Sequence, residues 1–268
     1  TEDEIEKFKK RIEDSQFAIC LTNLTVTDDL KVFTLNSTSQ LEKITEDLLN
    51  EIYPFDSQAK CMLGVTGTNG KTTTVEIIRQ LVVMGNLNVL TVGTLGVYLN
   101  DKLVEDFSLT SPSYVDLRKV LYNYSADCHV IAMELSSHAL EQNRMGSLCF
   151  DRIGWTNITQ DHLDYHGTMD NYFNSKKKIF NKLKSSGEVV VSRKQEDLKL
   201  RLSGIEYLES NPLGRIKNLF FAPAYNRENL EVAVCLLKEY MSISLDMIES
   251  LNPPLGRFNI IQTKSGFI

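Results

Sequence analysis

What the chain lacks narrows its class before any motif is read. No apolar run approaches the roughly 18 residues of a membrane-crossing helix, and the first residues, Thr1 to Lys7, are mostly charged where a secretion signal would be apolar. A soluble, cytoplasmic chain with no membrane partner is expected. A basic surplus is also missing: 29 Lys and Arg stand against 35 Asp and Glu, a net charge of −6. Polymeric nucleic acid is therefore not the expected ligand, and an anionic small molecule must be met by a local cluster. The five cysteines (Cys20, Cys61, Cys128, Cys149, Cys235) lie far apart and are odd in number, so neither a disulfide framework nor a zinc site is suggested and reduced thiols are expected. With 6 prolines and 14 glycines spread over 268 residues, the glycine cluster at 64–70 stands out. The chain has no initiating methionine and stops in the strand-like Phe267-Ile268, which predicts a fragment of something longer.

From Cys61 onward, strand-like runs alternate with helical ones: Cys61 to Val65, Asn88 to Val92, His129 to Leu135, Arg152 to Ile158, Glu188 to Ser192 and Leu219 to Phe221. Such alternation requires crossover connections, so the fold class is α/β, a mostly parallel sheet with helices on both faces. A small α+β lobe over residues 1–57 precedes it: an acidic helix, short apolar pieces (Phe17 to Leu21, Leu30 to Leu35) and a helix from Ser39 to Ile52 that ends before Pro54. The large domain covers residues 58–262. Ligands of such sheets collect beyond the carboxyl ends of the strands.

The cluster Gly64-Val-Thr-Gly67-Thr68-Asn69-Gly70-Lys71-Thr72-Thr73-Thr74 lies between the first of these strands and a helix. Gly67 and Gly70 let backbone N–H groups converge on anionic oxygens, Lys71 reaches β and γ phosphates, and Thr72 offers a hydroxyl to Mg2+ at the helix N-terminus. The helix is credible, since Val75, Ile78 and Val82 share a face and Gly85 supplies a stop. The general phosphate-loop pattern has glycine five positions before Gly70, where this chain has Val65, so only its second half is matched. A glycine-rich hairpin is the competing reading.

Three further segments carry chemistry. The strand His129 to Leu135 delivers Glu134 at its carboxyl end, and a buried carboxylate needs a partner: a metal beside the phosphate loop, or a lysine or backbone cap. The loop Trp155-Thr-Asn157-Ile-Thr-Gln-Asp161-His162-Leu-Asp164-Tyr-His166-Gly167 gathers two of the four histidines. His162 suits a metal, with Asp161 or Asp164 orienting its other nitrogen; zinc and a ligand-free solvated turn are alternatives. Next, Lys176 has Tyr172, Phe173, Ile179 and Phe180 as its i−4, i−3, i+3 and i+4 neighbours, whereas Lys178 faces water. Either Lys176 snorkels along the surface, or desolvation makes it a nucleophilic amine able to take up CO2 as a carbamate. Arg144 and Arg257 are candidates for phosphate or carboxylate contacts, with a surface salt bridge the alternative for each.

Gly-Thr-Asn-Gly-Lys-Thr-Thr (67–73), Met-Glu-Leu-Ser-Ser-His-Ala-Leu (133–140), Thr-Asn-Ile-Thr-Gln-Asp-His-Leu-Asp-Tyr-His-Gly-Thr (156–168) and Leu-Gly-Arg (255–257) occur in this order. Together they resemble the Mur ligases of peptidoglycan synthesis, and within them the UDP-N-acetylmuramoyl-L-alanyl-D-glutamate ligase branch, the MurE type, over residues 60 to 260. The resemblance implies an ATP-dependent acid–amino-acid ligase of cell-wall biogenesis, with consequences for cell shape and division. ATP phosphorylates the D-glutamyl carboxylate, and the acyl phosphate is attacked by the amine of an amino acid, for which meso-diaminopimelate is the expectation.

Carried over by motif, Gly67, Thr68, Asn69, Gly70, Lys71, Thr72 and Thr73 bind ATP, with Asn226, Asn229 and Arg257 on its nucleoside side. Thr72, Glu134 and His162 hold Mg2+, and Lys71, His162 and a carbamylated Lys176 are catalytic. Thr110, Ser111, Ser136, Gln142 and Arg144 bind the UDP-muramoyl dipeptide, whose partner substrate is a free amino acid; the family implies a monomer. The first lobe then corresponds to part of a uridine-binding domain, and residues 263–268 to the start of a C-terminal domain that in the family binds the incoming amino acid and helps close over ATP. The pattern departs from the family at Asn259, where Glu usually stands. Folylpolyglutamate synthetase shares the implied fold and chemistry, but its loop typically reads Gly-Lys-Gly-Ser. The lipid-linked isoglutaminyl synthase relatives carry a cysteine cluster that this chain lacks, and a non-catalytic nucleotide-binding module is the remaining alternative.

Overall fold

The structure is a computed structural model that describes residues 18–21, 32–35, 38–107, 109–254, 256, 262–263 and 266–267. It divides into two compact units, Thr1–Pro54 and Phe55–Ile268. In the first, β1 (Ala18–Leu21) pairs in parallel with β2 (Val32–Leu35), and helix α1 spans Thr38–Ile52. Leu41, Ile44, Leu48 and Ile52 recur at helical spacing, and the helix stops where the residue before Pro54 disfavours the α conformation. The acidic helix expected at the start of the chain lies outside the described residues.

The second unit is built on eight strands: β3 (Cys61–Thr66), β4 (Val89–Gly93), β5 (Gly96–Leu99), β6 (Lys102–Glu105), β7 (Val130–Glu134), β8 (Phe150–Trp155), β9 (Leu183–Val191) and β10 (Leu208–Glu209). Their order is β10-β9-β8-β3-β7-β4-β5-β6, with every pairing parallel except β4–β5 and β5–β6. A short antiparallel pair, β11 (Gln262–Thr263) and β12 (Gly266–Phe267), follows later in the chain. The central strands are apolar on both faces, as a sheet covered on both sides requires. Met62, Ile131, Met133, Leu90 and Val92 enter one core with helix α3 (Tyr114–Tyr124), while Leu63, Val65, Val130, Ala132 and Val89 enter the other with α2 (Lys71–Met84). The period of two along each strand thus feeds two cores, one on each face. The expected α/β architecture is the one observed.

Three expectations change. Leu219–Phe221 is a 3-10 turn, not a strand. The side chain of Asn218 accepts from Phe220 N at 3.0 Å and Asn226 Nδ2 donates to Phe220 O at 2.9 Å, so the polar backbone of Phe220 is satisfied locally and Phe220 and Phe221 are free to enter the core. The strand β8 ends at Trp155 rather than Ile158 because Thr156 turns away, its hydroxyl donating to Asn69 O at 2.6 Å. The antiparallel arm β5–β6 was not anticipated; its tight turn is carried by Asn100, whose φ of 53° is left-handed, a conformation asparagine tolerates.

The remaining helices that matter below are α4 (Ser137–Glu141), α5 (Leu163–His166), α6 (Met169–Lys177), α7 (Glu196–Arg201) and α8 (Ala224–Leu237). Because β3, β4, β7 and β8 run parallel, their carboxyl ends and the loops that leave them share one rim of the sheet. That rim receives the glycine loop, Thr94, Glu134 and the loop 156–162.

Candidate active site

The glycine loop leaves the central strand β3 and becomes α2 at Lys71. Its glycines are required by shape: Gly67 has φ 147° and Gly70 φ 87°, and a Cβ would lie 2.0 Å from Thr156 Oγ1 at the first and 2.2 Å from Asn229 Oδ1 at the second. Neighbouring side chains bind the loop from outside. Asn157 accepts from Asn69 N at 2.9 Å and returns Nδ2 to Asn69 O at 2.9 Å, while Thr159 N donates to Thr68 Oγ1 at 2.9 Å. Thr156, Asn157 and Thr159 were not singled out as site residues, although they lie in the motif that follows β8. Lys71 folds back over the loop, its Nζ donating to Gly67 O at 2.9 Å and Thr68 O at 3.0 Å.

Glu134 ends β7, beside β3, and is buried. It accepts from Thr72 Oγ1 at 3.0 Å and from Thr94, whose N–H and hydroxyl reach its two oxygens at 2.8 and 3.1 Å. Burial pushes its pKa up, against the pull of these donors and of Lys71. Among the described residues no cation lies within ion-pair distance of this carboxylate. A buried acid satisfied by neutral donors, next to a hydroxyl at a helix N-terminus, fits a hard divalent cation held by oxygen ligands. Thr94 is a residue that sequence reasoning missed. Its signal is Gly93 before it, where a Cβ would meet Glu134 Oε1 at 2.2 Å.

His162 reaches the rim from the loop after β8, in a left-handed conformation with φ 51°. Its Nε2 lies 3.4 Å from Asp161 Oδ2, and its ring is 4.9 Å from that of His138. It shares no hydrogen bond with Thr72 or Glu134 among the described residues, and no group of three His, Cys, Asp or Glu side chains suited to a metal occurs among them. Thr72 and Glu134 are thus joined directly, and His162 stands apart with its ring half exposed.

Lys176 does not snorkel. It is 1% exposed, its Nζ donates to Gly67 O at 2.9 Å, and it lies 4.8 Å from the centre of the Tyr172 ring. Burial, with Lys71 adding to it, holds its pKa well below that of an ordinary lysine. Both effects disfavour the ammonium and favour the uncharged amine, the form that a carbamate requires. Two lysine nitrogens meet at the single carbonyl of Gly67.

The five residues expected around the acidic substrate form one network beside Glu134. Thr94 Oγ1 bonds Thr110 Oγ1 at 3.1 Å; Ser111 Oγ donates to Glu134 O at 2.9 Å and lies 3.5 Å from Ser136 Oγ; Arg144 donates to Ser111 O at 2.9 Å and to Gln142 Oε1. Tyr165, not anticipated, joins by accepting from Gln142 Nε2 at 3.1 Å and packing its ring 4.2 Å from His138. On the other side of the loop a cleft of about 630 Å3 is lined by Asn69, Gly70, Thr73, Phe220, Asn226 and Asn229 among others. Asn226 and Asn229 therefore lie together in one cleft beside the glycine loop. Arg257 and Asn259 lie outside the described residues.

Such a rim, with a glycine turn between a central strand and a helix and a buried carboxylate beside it, is the architecture of the α/β phosphate-loop domains. Residues 65–211 match the Mur ligase middle domain, and the chain belongs to the Mur ligase family. It is similar to the UDP-N-acetylmuramoyl-L-alanyl-D-glutamate--2,6-diaminopimelate ligase of Fusobacterium nucleatum, 39% identical over 146 residues that make up 54% of this chain and 30% of that protein. With the ligase of the same name from Geobacter metallireducens it shares 32% identity over 197 residues, 73% of this chain and 36% of the relative.

The match thus spans about a third of each of these relatives' length. Among solved structures, a ligase of that same name superposes with a TM-score of 0.73 at 20% identity, covering 92% of this chain and 57% of the other. E. coli FolC in complex with DHPP and ADP gives 0.57 at 17%, covering 96% and 68%. These superpositions establish a shared fold. The family expected from the four motifs is the family found.

Proposed function

We propose that the chain is the nucleotide-binding core of an ATP-dependent ligase that joins meso-diaminopimelate to UDP-N-acetylmuramoyl-L-alanyl-D-glutamate in peptidoglycan synthesis. One observation carries the reading: the network of Thr110, Ser111, Ser136, Gln142 and Arg144 and the phosphate loop meet at a single residue, Glu134, whose carbonyl accepts from Ser111 and whose carboxylate accepts from Thr72. An acid and a polyphosphate bound to the two sides would be brought together there. The names of the relatives support the choice of acid and amine.

In this reading the amides of residues 67–73 and Lys71 hold the phosphates, and the cleft beside Asn226 and Asn229 holds the nucleoside. Arg144, already oriented by Gln142 and Ser111, meets the carboxylate of the dipeptide, for which a guanidinium is suited. Thr72 and Glu134, with His162, would hold Mg2+, which when bound neutralises charge on the phosphate oxygens. The carboxylate takes the γ-phosphoryl group and ADP leaves; the amine of the amino acid then attacks the acyl carbon, phosphate departs and a proton is lost from nitrogen. The neutral Lys176 amine adds to CO2, giving a carbamate and releasing one proton. Residues 1–57 belong in this reading to the uridine-binding domain, residues 58–262 are the central domain, and 263–268 open the domain for the amino acid. A cytoplasmic monomer goes with it.

Phosphate release from ATP, measured with and without the UDP-muramoyl dipeptide and each amino acid, tests the proposal. Dependence on the dipeptide and on diaminopimelate is expected. Release that depends on a folate and glutamate instead, or none under any condition, sinks it. Separately, 13C NMR in labelled bicarbonate is expected to show a carbamate carbon that disappears in Lys176→Met.

A further inference from the structure

Three of the four histidines, His138, His162 and His166, meet on one side of the rim. The last of them has no part in the reading above. His166 closes α5 and is buried between α4 and α6, with Nε2 3.0 Å from Ser137 Oγ and Nδ1 3.3 Å from Ser175 Oγ. Ser175 Oγ donates in turn to Glu141 Oε2 at 2.5 Å, and the same oxygen receives Lys178 Nζ at 2.9 Å. The bond from Ser175 and the ion pair with Lys178 hold the Glu141 carboxyl below its usual pKa, so it is ionised and only accepts.

Counting protons along this chain fixes its polarity. Ser175 has one hydroxyl proton, and it is committed to Glu141. Its oxygen can only accept from the ring, so Nδ1 of His166 carries a proton. Nε2 shares the second bond of the ring with Ser137 Oγ. Ser137 and Ser175 are each 2% exposed, so a hydroxyl left without a partner at either end is costly.

Neither serine faces the site, but each precedes or follows a residue that does. Ser136 belongs to the acid-binding network and caps α4, with Ala139 N donating to its Oγ at 3.1 Å. Lys176 donates to Gly67 O from α6. We infer that His166 is a positioning residue: donating from Nδ1 to Ser175 and bonded through Nε2 to Ser137, it ties the first turn of α4 to α6 and fixes Ser136 and Lys176 at one spacing across the site. The catalytic consequence rests on the ligase reading; the relay itself does not.

Two measurements separate them. In [15N]histidine-labelled protein, with His166 assigned from the spectrum of His166→Phe, long-range ring correlations are expected to show a proton on Nδ1; an Nδ1 without a proton overturns the relay. In the phosphate-release assay, His166→Phe is expected to lower kcat roughly 10- to 100-fold, the scale for loss of a group that orients a reacting residue, with KM for ATP unchanged within about twofold. His166→Asn places an amide nitrogen where Nδ1 stands, restores the donor to Ser175 and is expected to recover most of that loss. Equal loss in both variants, or a raised KM for ATP with kcat intact, overturns the positioning role. If the unmodified protein releases no phosphate with the dipeptide, the ligase reading fails by itself, and the ring-proton measurement still decides the relay.

Discussion

The Lys176 amine is the residue at which sequence and surroundings conflict most, because a lysine has been placed where water does not reach. Its pKa lies below the ordinary 10.5, so between that lowered value and 10.5 the folded chain holds fewer protons than the unfolded one. Stability contributed by this group therefore rises with pH across that window and is lost as pH falls through it, at about 1.4 kcal/mol per pH unit for one proton. Replacement by methionine removes the dependence. In CO2-depleted buffer, the stability of wild type relative to Lys176→Met, read from urea midpoints, is expected to climb as pH rises toward 10.5; a gap that stays flat over the same range would mean the amine is solvated.

Glu134 poses the opposite case, a buried acid with no ion-pair partner among the described residues. Glu134→Gln keeps an oxygen to accept from Thr94 N, presents its amide nitrogen to the hydroxyls of Thr72 and Thr94, which can turn to accept, and removes the charge. The fold is expected to survive, with a melting temperature equal to or above that of wild type. Calorimetry should show that Mg2+ strengthens nucleotide binding at least tenfold less than in wild type, a difference of about 1.4 kcal/mol or more. An unchanged metal dependence would place the cation elsewhere.

At the scale of the elements, the site is two loops bound to each other more than it is a glycine turn alone. Asn157, from the loop after β8, makes both an N–H···O and an O···H–N bond to Asn69. Asn157→Ala removes both, and a loss of about 1 to 2 kcal/mol in stability is expected from two partly exposed hydrogen bonds. Nucleotide affinity is expected to fall with it, since the loop must then be ordered by the ligand; isothermal titration that finds the affinity intact would show the loop rigid without its brace. The strap also explains what was legible beforehand. Strand, glycine turn and helix could be read because local spacing determines them: Val75, Ile78 and Val82 share a face whatever else folds. The pairing of Glu134 with Thr94 could not, because 40 residues separate the end of β7 from the residue after β4, and the bond depends on Gly93 leaving room. Leu219–Phe221 misled for a related reason. Three apolar residues in a row are compatible with either a strand or a turn, and the choice was made by Asn218 and Asn226, flanking polar side chains that captured the backbone.

At the scale of the larger unit, the two cores lie on opposite faces of a single sheet, and elements that reach its rim enter both. Helix α2 begins at the phosphate loop and contributes Val75, Ile77, Ile78, Leu81 and Val82 to one core; α6 carries Lys176 to the same loop and Tyr172 and Phe173 to the other. A nucleotide that orders the loop therefore stabilises the larger unit as a whole rather than a local segment. At a free concentration of 100 times its Kd, a ligand that binds only the folded state adds about 2.7 kcal/mol, which for a unit of this size is about 5 to 10 °C in Tm. Calorimetric scans with Mg2+ and ATP are expected to show a shift of that size. Gly67→Ala should abolish it, since its Cβ would lie 2.0 Å from Thr156 Oγ1 in a conformation L-residues rarely adopt. A full shift in that variant would mean that nucleotide binds away from the loop, and the assignment of the rim as the site would fall with it.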